Sequence, residues 1–393
     1  MTDINTVRAA FVDGLTEPGR DLDPGWCAAF RDVPRHVFVP YFFTPRTDRP
    51  GWDIVEPPDR QWLASVWSNK PLITQLNGDD TLADEVRRGE AVDGVSTSSS
   101  SAPSLMALML QALDVHDDQH VVEVGTGTGY NAAVLSHRLG PDHVTSIDVD
   151  PGIVERARAR LATLGYAAHL VAANGLAGCP ERQPFDRIIA TVAIPRLPVA
   201  WIDQVGDEAK ILFPLDRRNS GGIMALLTVH GATAEGHFLP DYGGFMPVRQ
   251  DRHDAALTAF WEIQDHEGTQ RVTTVPHEII TDEGHPFEFF AALMTGGYDS
   301  MSFTPNNGGP TQTWLAQGNG SWVCHTTDPD GTLHVRQDGP QRLWDIIERV
   351  KALWDGLGQP RRERFGLTAT ADHHIVWLDS PAEGEHWALP PVG

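Results

Sequence analysis

Val121-Val122-Glu123-Val124-Gly125-Thr126-Gly127-Thr128-Gly129 is the stretch on which the fold turns. A short β-branched run meets three alternating glycines, and an apolar helical pattern, Tyr130–Leu139, follows at once. Glycine lets the chain turn tightly and lets a ligand approach without a Cβ in the way, while the helix that opens next offers free N–H groups. A dinucleotide fold carries G-x-G-x-x-G and holds pyrophosphate on the helix dipole. Here the spacing is G-x-G-x-G with an acidic residue just before it, which predicts a nucleoside ligand that has no phosphate to hold.

Working outward, the alternation of strand and helix patterns continues. His120–Val124, helix Tyr130–Leu139, His143–Ile147, helix Pro151–Leu164, His169–Ala172, Phe185–Ala190, helix Pro198–Val205 and Ala209–Pro214 read as parallel β-α units in a doubly wound sheet. Ile223–Val229, after the Asn219-Ser220-Gly221-Gly222 turn, reads as a late strand added antiparallel. Asp148 ends the strand after the loop, where a carboxylate accepts ribose hydroxyls. Ala173-Asn174-Gly175 ends the next one, placed for adenine. The expected ligand is therefore S-adenosyl-L-methionine, leaving as S-adenosyl-L-homocysteine, held by Glu123, Gly125, Thr126, Gly127, Gly129, Asp148, Asn174 and Gly175. A nicotinamide oxidoreductase is disfavoured by the glycine spacing.

The flanks are less regular. Helices are expected at Val7–Leu15 and Trp26–Val33, then a loop rich in Pro, Asp and Arg between Pro40 and Arg60. Pro103–Leu113 reads as a helix with Leu105, Leu108, Met109 and Ala112 on one face. Beyond Arg249 the chain is rich in tryptophan, with Trp261, Trp314, Trp322, Trp344, Trp354, Trp377 and Trp387 read as core rather than as a peptide-binding surface. The clearest features there are a helix at Gln341–Leu357 and a hairpin of Phe365–Thr370 with His374–Leu378. At 393 residues two domains are expected, because single cores stop growing near roughly 250–300 residues. Residues 1–249 form a catalytic domain (cover 1–95, cofactor-binding core 96–249) and 250–393 an accessory domain.

Composition narrows the partners. A formal charge of −23 repels phosphate backbones, so nucleic acid is not an expected partner. No apolar run reaches the roughly 20 residues of a membrane helix, and Met1–Ala10 lacks the pattern of a secretory signal, so no membrane and a cytoplasmic place are expected. Cys27, Cys179 and Cys324 lie far apart. His116 and His120 sit in a short connector, and His373-His374 at the hairpin turn reads as solvated. No metal is expected.

Several segments together resemble the protein-L-isoaspartate O-methyltransferase family. Val33-Pro34-Arg35-His36-Val37-Phe38-Val39-Pro40 is similar to its N-terminal segment, and Ser101-Ala102-Pro103 to its catalytic I-S-x-P stretch. Pro184-Phe185-Asp186-Arg187-Ile188-Ile189 and Ile211-Leu212-Phe213-Pro214-Leu215 are similar to later family segments. The resemblance covers about residues 30–249 and implies a Rossmann-like α/β methyltransferase core with an N-terminal cover and an additional α+β C-terminal domain. It also implies carboxyl methylation, with Ser101 as first choice for the catalytic residue and Ser98, Ser99 and Ser100 as further candidates; a Ser-rich linker ending in a helix cap is the alternative.

Departures from the family pattern point further. Ser96–Ser101 is an unusual hydroxyl run, Ser104 stands where repair enzymes often have His, and a long C-terminal region follows. Arg364-Phe365-Gly366-Leu367-Thr368 and Val376-Trp377-Leu378-Asp379 resemble an actinobacterial branch that matures ribosomal peptides, the lanthipeptides and graspetides. That resemblance implies a cyclised precursor peptide as partner and an Asp ester that closes to aspartimide. General isoaspartate repair and a catalytically inactive peptide-binding module are the alternatives.

Overall fold

The computed structural model describes residues 4–15, 21–218, 222–249, 263, 266–282, 284–305 and 309–392. The chain forms two compact units, one of Met1–Val192, Pro198–Leu212 and Thr228–Ala232, the other of Ala193–Leu197, Phe213–Leu227 and Thr233–Gly393.

The first unit opens with helices α1 (Ile4–Asp13), α2 (Pro24–Asp32) and α3 (Arg35–Phe38). Strands β1 (Phe42–Pro45) and β2 (Trp52–Val55), helix α4 (Arg60–Val66), strand β3 (Leu72–Leu76), helix α5 (Leu82–Arg87) and strand β4 (Ser96–Ser100) follow. The four strands make one sheet in the order β2-β1-β3-β4. The loop expected between Pro40 and Arg60 is thus largely a hairpin, with Phe42 opposite Val55 and Phe43 opposite Ile54. Its apolar side chains bury against Leu76, Ala83, Val86 and Val92. Arg46 and Asp53, which made the segment read as loop, pair with each other at 2.8 Å.

Helix α6 (Pro103–Leu113) stands where the sequence placed it, but of the expected face Leu105, Leu108, Met109 and Ala112 only Met109 is buried, together with Pro103, Met106, Ala107, Leu110 and Leu113. The helix is apolar almost all round, so periodicity alone left its orientation open. Strands β5 (Val121–Val124), β6 (Val144–Asp148), β7 (His169–Ala172), β8 (Phe185–Ala190) and β9 (Val205–Leu215) alternate with helices α7 (Tyr130–Leu139), α8 (Pro151–Thr163) and α9 (Val199–Asp203). Within this unit the strand order is β9-β8-β5-β6-β7, and successive neighbours run parallel. This doubly wound arrangement brings the loops after β5, β6 and β7 to one edge, where such sheets take their ligands. Asp150 caps α8, its Oδ1 accepting from the N–H groups of Gly152 and Ile153. Strand β10 (Ile223–His230) is a hydrogen-bonded neighbour of β9.

The second unit contains β11 (Thr233–Tyr242), β12 (Thr269–Thr273), helices α10 (Glu278–Thr281) and α11 (Pro286–Thr295), strands β13 (Asp299–Phe303), β14 (Gln312–Ala316), β15 (Trp322–Thr327) and β16 (Leu333–Asp338), helix α12 (Leu343–Gly356), and strands β17 (Phe365–Ala369), β18 (His374–Leu378) and β19 (His386–Ala388). One sheet is antiparallel in the order β12-β16-β15-β14-β13. β17 pairs antiparallel with β11 and β18, and β18 with β19. Trp314, Trp322, Trp344, Trp354 and Trp377 are buried, as expected of core residues, and Trp387 is partly exposed. Trp261 lies outside the described residues. The expected hairpin is present, but His374 is buried rather than solvated, and that burial pulls its imidazole down to about 4. Sequence periodicity named the turn but not which of its two histidines faces inward.

Candidate active site

The glycine loop joins β5 to α7. Gly125 has φ of 102°, a region that L side chains rarely adopt, and a Cβ there would lie 2.6 Å from Thr191 Oγ1. Only glycine fits this turn. The N–H groups of Gly125 and Thr126 bond the carbonyl of Ile147 at 2.8 and 3.3 Å, tying the loop to the end of β6. From the far side Thr191 Oγ1 donates to the Gly125 carbonyl at 2.7 Å.

Asp148 accepts the Gly127 N–H on Oδ2 at 3.0 Å and the Asp150 N–H on Oδ1 at 3.1 Å. Its carbonyl takes the Ala173 N–H at 2.9 Å, which brings the Ala173-Asn174-Gly175 segment alongside. Asn174 Oδ1 accepts from Leu176 N–H, and a Cβ on Gly175 would come within 2.5 Å of Val124 Cγ1. Three segments separated in sequence therefore meet at the carboxyl ends of β5, β6 and β7.

Glu123 differs from its expected role. It is fully buried under the loop, with Asn131 Nδ2 donating to Oε1 at 2.8 Å and Ser146 Oγ to Oε2 at 2.6 Å. Thr126 Oγ1 joins Ser146 Oγ at 2.7 Å. Burial outweighs these bonds and pushes the carboxyl up to about 7. Glu123 thus lies below the surface, with both carboxylate oxygens bonded within the protein.

The serine run is a strand. β4 pairs antiparallel with β3, Leu72 opposite Ser100 and Ile73 opposite Ser99. Ser98 and Ser100 point inward and are buried, while Ser99 and Ser101 are partly exposed. Backbone and loop come close: a Cβ on Gly127 would lie 3.4 Å from the Ser99 carbonyl and 3.8 Å from Ser98 Oγ. Ser101 follows the strand and precedes α6; its hydroxyl has no hydrogen-bond partner among the described residues. The linker alternative does not describe this segment, which is paired and half-buried along its length.

Arg35, a motif residue outside the expected site, is central to this strand. It is fully buried, and its guanidinium donates to the carbonyls of Val66, Ser68, Lys70, Ser100 and Ser101 and to Ser100 Oγ, at 2.8 to 3.4 Å. Tyr130, the first residue of α7, lies under the guanidinium with its centroid 5.8 Å away. A lone arginine in an N-terminal motif gives no hint of partners 65 residues downstream.

Comparison with known proteins places this geometry. Residues 89–232 match the family described as Protein-L-isoaspartate(D-aspartate) O-methyltransferase (PCMT). A protein-L-isoaspartate O-methyltransferase 2 of Anaeromyxobacter sp. (strain Fw109-5) is 30% identical over 227 residues, 56% of this chain and 74% of that protein. The protein-L-isoaspartate O-methyltransferase of Xanthobacter autotrophicus is 44% identical over 116 residues, 29% of this chain, and the match spans only 52% of that relative. A solved structure titled as a protein-L-isoaspartate O-methyltransferase superposes with a TM-score of 0.54 at 20% identity, covering 95% of this chain and all of that one. The fold is the Rossmann-like one of S-adenosylmethionine-dependent methyltransferases, with added sheets in the C-terminal region. The chain belongs to the protein-L-isoaspartate O-methyltransferase family.

Proposed function

We propose that this protein transfers a methyl group to an Asp-derived side-chain carboxylate of a peptide. The single observation that carries this reading is the approach of β4 to the glycine loop, with the Ser99 carbonyl 3.4 Å from where a Gly127 Cβ would stand. Hydroxyl-bearing chain is thereby held beside a cradle that side chains would fill. Gly125, Thr126, Gly127 and Gly129 with Asp148, Asn174 and Gly175 fit S-adenosyl-L-methionine, which supplies a methyl group already activated on sulfur. Glu123 supports that cradle from below.

The chemistry asks little of a base. A carboxylate is ionised near neutral pH, so its oxygen forms the O–CH3 bond as the S–CH3 bond breaks, without prior loss of a proton. What the site must supply is alignment and exclusion of water. In this reading Ser101 donates its hydroxyl to the carboxylate oxygen that does not react, and Ser98, Ser99 and Ser100 fix the strand that places it. The resulting ester carries a better leaving group than the carboxylate, so the next amide nitrogen of the peptide attacks its carbonyl, loses its proton, expels methanol and closes an aspartimide.

The substrate we infer is a cyclised, ribosomally made precursor peptide of the lanthipeptide or graspetide kind, with residues 250–393 supplying peptide recognition. The Ser96–Ser101 run and the C-terminal phrases support this reading. General repair of isoaspartyl protein is the second reading, favoured by the names of the relatives. Incubation with S-adenosyl-L-methionine and either a cyclised precursor or a linear isoaspartyl peptide, followed by mass spectrometry, separates them. Faster methylation of the linear peptide would favour repair. Failure to bind S-adenosyl-L-homocysteine in a calorimetric titration would leave only an inactive peptide-binding module.

A further inference from the structure

We propose that Arg35 is a positioning residue for the reaction, and that its buried charge makes the serine segment select an ionised carboxylate over a neutral carboxamide. The inference rests on the methyl-transfer reading above. Among the described residues Arg35 makes no ion pair; every acceptor it reaches is a neutral carbonyl or hydroxyl. Burying a guanidinium without a carboxylate partner is costly, and folds that retain one surround it with oriented dipoles. Here desolvation pulls its pKa down to about 10, which still leaves it protonated at neutral pH.

Its placement gives that charge a direction. The guanidinium bonds the carbonyls of Ser100 and Ser101, so it polarises the two peptide units whose N–H groups belong to Ser101 and Ala102. Those are the last two residues before Pro103 opens α6. The same contacts fix the backbone from which the Ser101 hydroxyl projects. On the glycine-loop side stands the carboxylate of Asp148, which would repel an anionic substrate. Arg35 provides the opposing positive potential under the serine segment, where burial leaves it weakly screened.

Arginine and lysine separate the two roles, since lysine keeps the charge and loses the planar set of donors. The test compares the wild type with Arg35→Lys, Arg35→Met and Ser100→Ala. Readouts are kcat, KM, and inhibition by two otherwise identical peptides bearing Asp or Asn at the reacting position. The wild type should prefer the Asp peptide by about tenfold or more, the usual scale of one charge-assisted contact. Arg35→Lys and Ser100→Ala should keep that preference while kcat falls; Arg35→Met should lose both.

S-adenosyl-L-homocysteine affinity, measured on each protein, should stay within about twofold of wild type, because Arg35 touches none of the loop residues; absence of binding by the wild type would defeat the methyltransferase reading itself. A wild type that binds the Asn peptide as tightly as the Asp peptide overturns the Arg35 proposal, even if Arg35→Met does not fold. Unchanged kcat in both Arg35→Lys and Ser100→Ala overturns it as well.

Discussion

The glycine loop and the serine strand lie so close that a Cβ on Gly127 would touch the Ser99 carbonyl, yet they are built in opposite ways. The loop is specified almost on the spot. Gly125–Gly129, Asp148 and Asn174-Gly175 are set by strand ends, positive φ and backbone bonds between neighbouring β-α units. The strand is specified from afar, by β3 and by an arginine in a short helix more than sixty residues earlier. Serine has little preference for extended structure, so without those partners nothing would hold Ser96–Ser100 in a sheet. The difference teaches that, in the proposed reading, the ligand cradle and the reacting face can be broken separately.

The strongest break is Gly125→Val. A β-branched side chain at φ of 102° with atoms of Thr191 and Val192 within 3 Å should abolish detectable S-adenosyl-L-homocysteine binding by calorimetry. Next comes the pH response of Glu123 beneath the loop. Its folded pKa of about 7 lies above the ordinary 4.5, so the folded state holds this proton more tightly than the unfolded state does. The stability contributed is therefore present below pH 4.5 and is lost as pH rises through 7, an effect on the order of 3 kcal/mol for a shift of this size. Denaturant titrations between pH 4.5 and 8 should show that decline in the wild type and a flatter profile in Glu123→Gln.

On the strand side, Ser101→Ala should lower kcat about a hundredfold, the loss expected for one donor to a reacting group, while S-adenosyl-L-homocysteine affinity is unchanged. Full activity in this variant would remove Ser101 from the catalytic assignment. The smallest of the four effects is Asp148→Ala, expected to weaken S-adenosyl-L-homocysteine binding about tenfold, with kcat at saturating S-adenosyl-L-methionine close to wild type. Taken together, loop variants should move affinity and strand variants turnover. A Ser101→Ala protein that lost cofactor affinity instead would collapse the distinction.

The elements that were readable in advance share a physical trait. Tyr130–Leu139, His169–Ala172 and Phe185–Ala190 stand as expected, because alternating helix and strand periods are local properties of the chain. The β1–β2 hairpin is hidden because Pro, Asp and Arg surround its apolar residues, and Arg46 and Asp53 find each other only across the strands. Arg35 was legible as a motif residue and illegible as a clamp, since its acceptors are backbone carbonyls that every residue type supplies. The acidic residue before the glycines is legible from its position, whereas its burial with both oxygens occupied depends on Asn131 and Ser146 from other elements.

The sequence by itself determined the parallel β-α core, the glycine turn and the acidic residue closing the next strand, because each depends on residue type within a few positions. Only the tertiary structure decided that the serine run is a strand, that α6 turns its Met106/Met109/Leu110 face inward, and that Arg35 lies buried under Ser100 and Ser101. Those features arise from pairing and burial between distant segments, and neither leaves a periodic mark in the residues themselves.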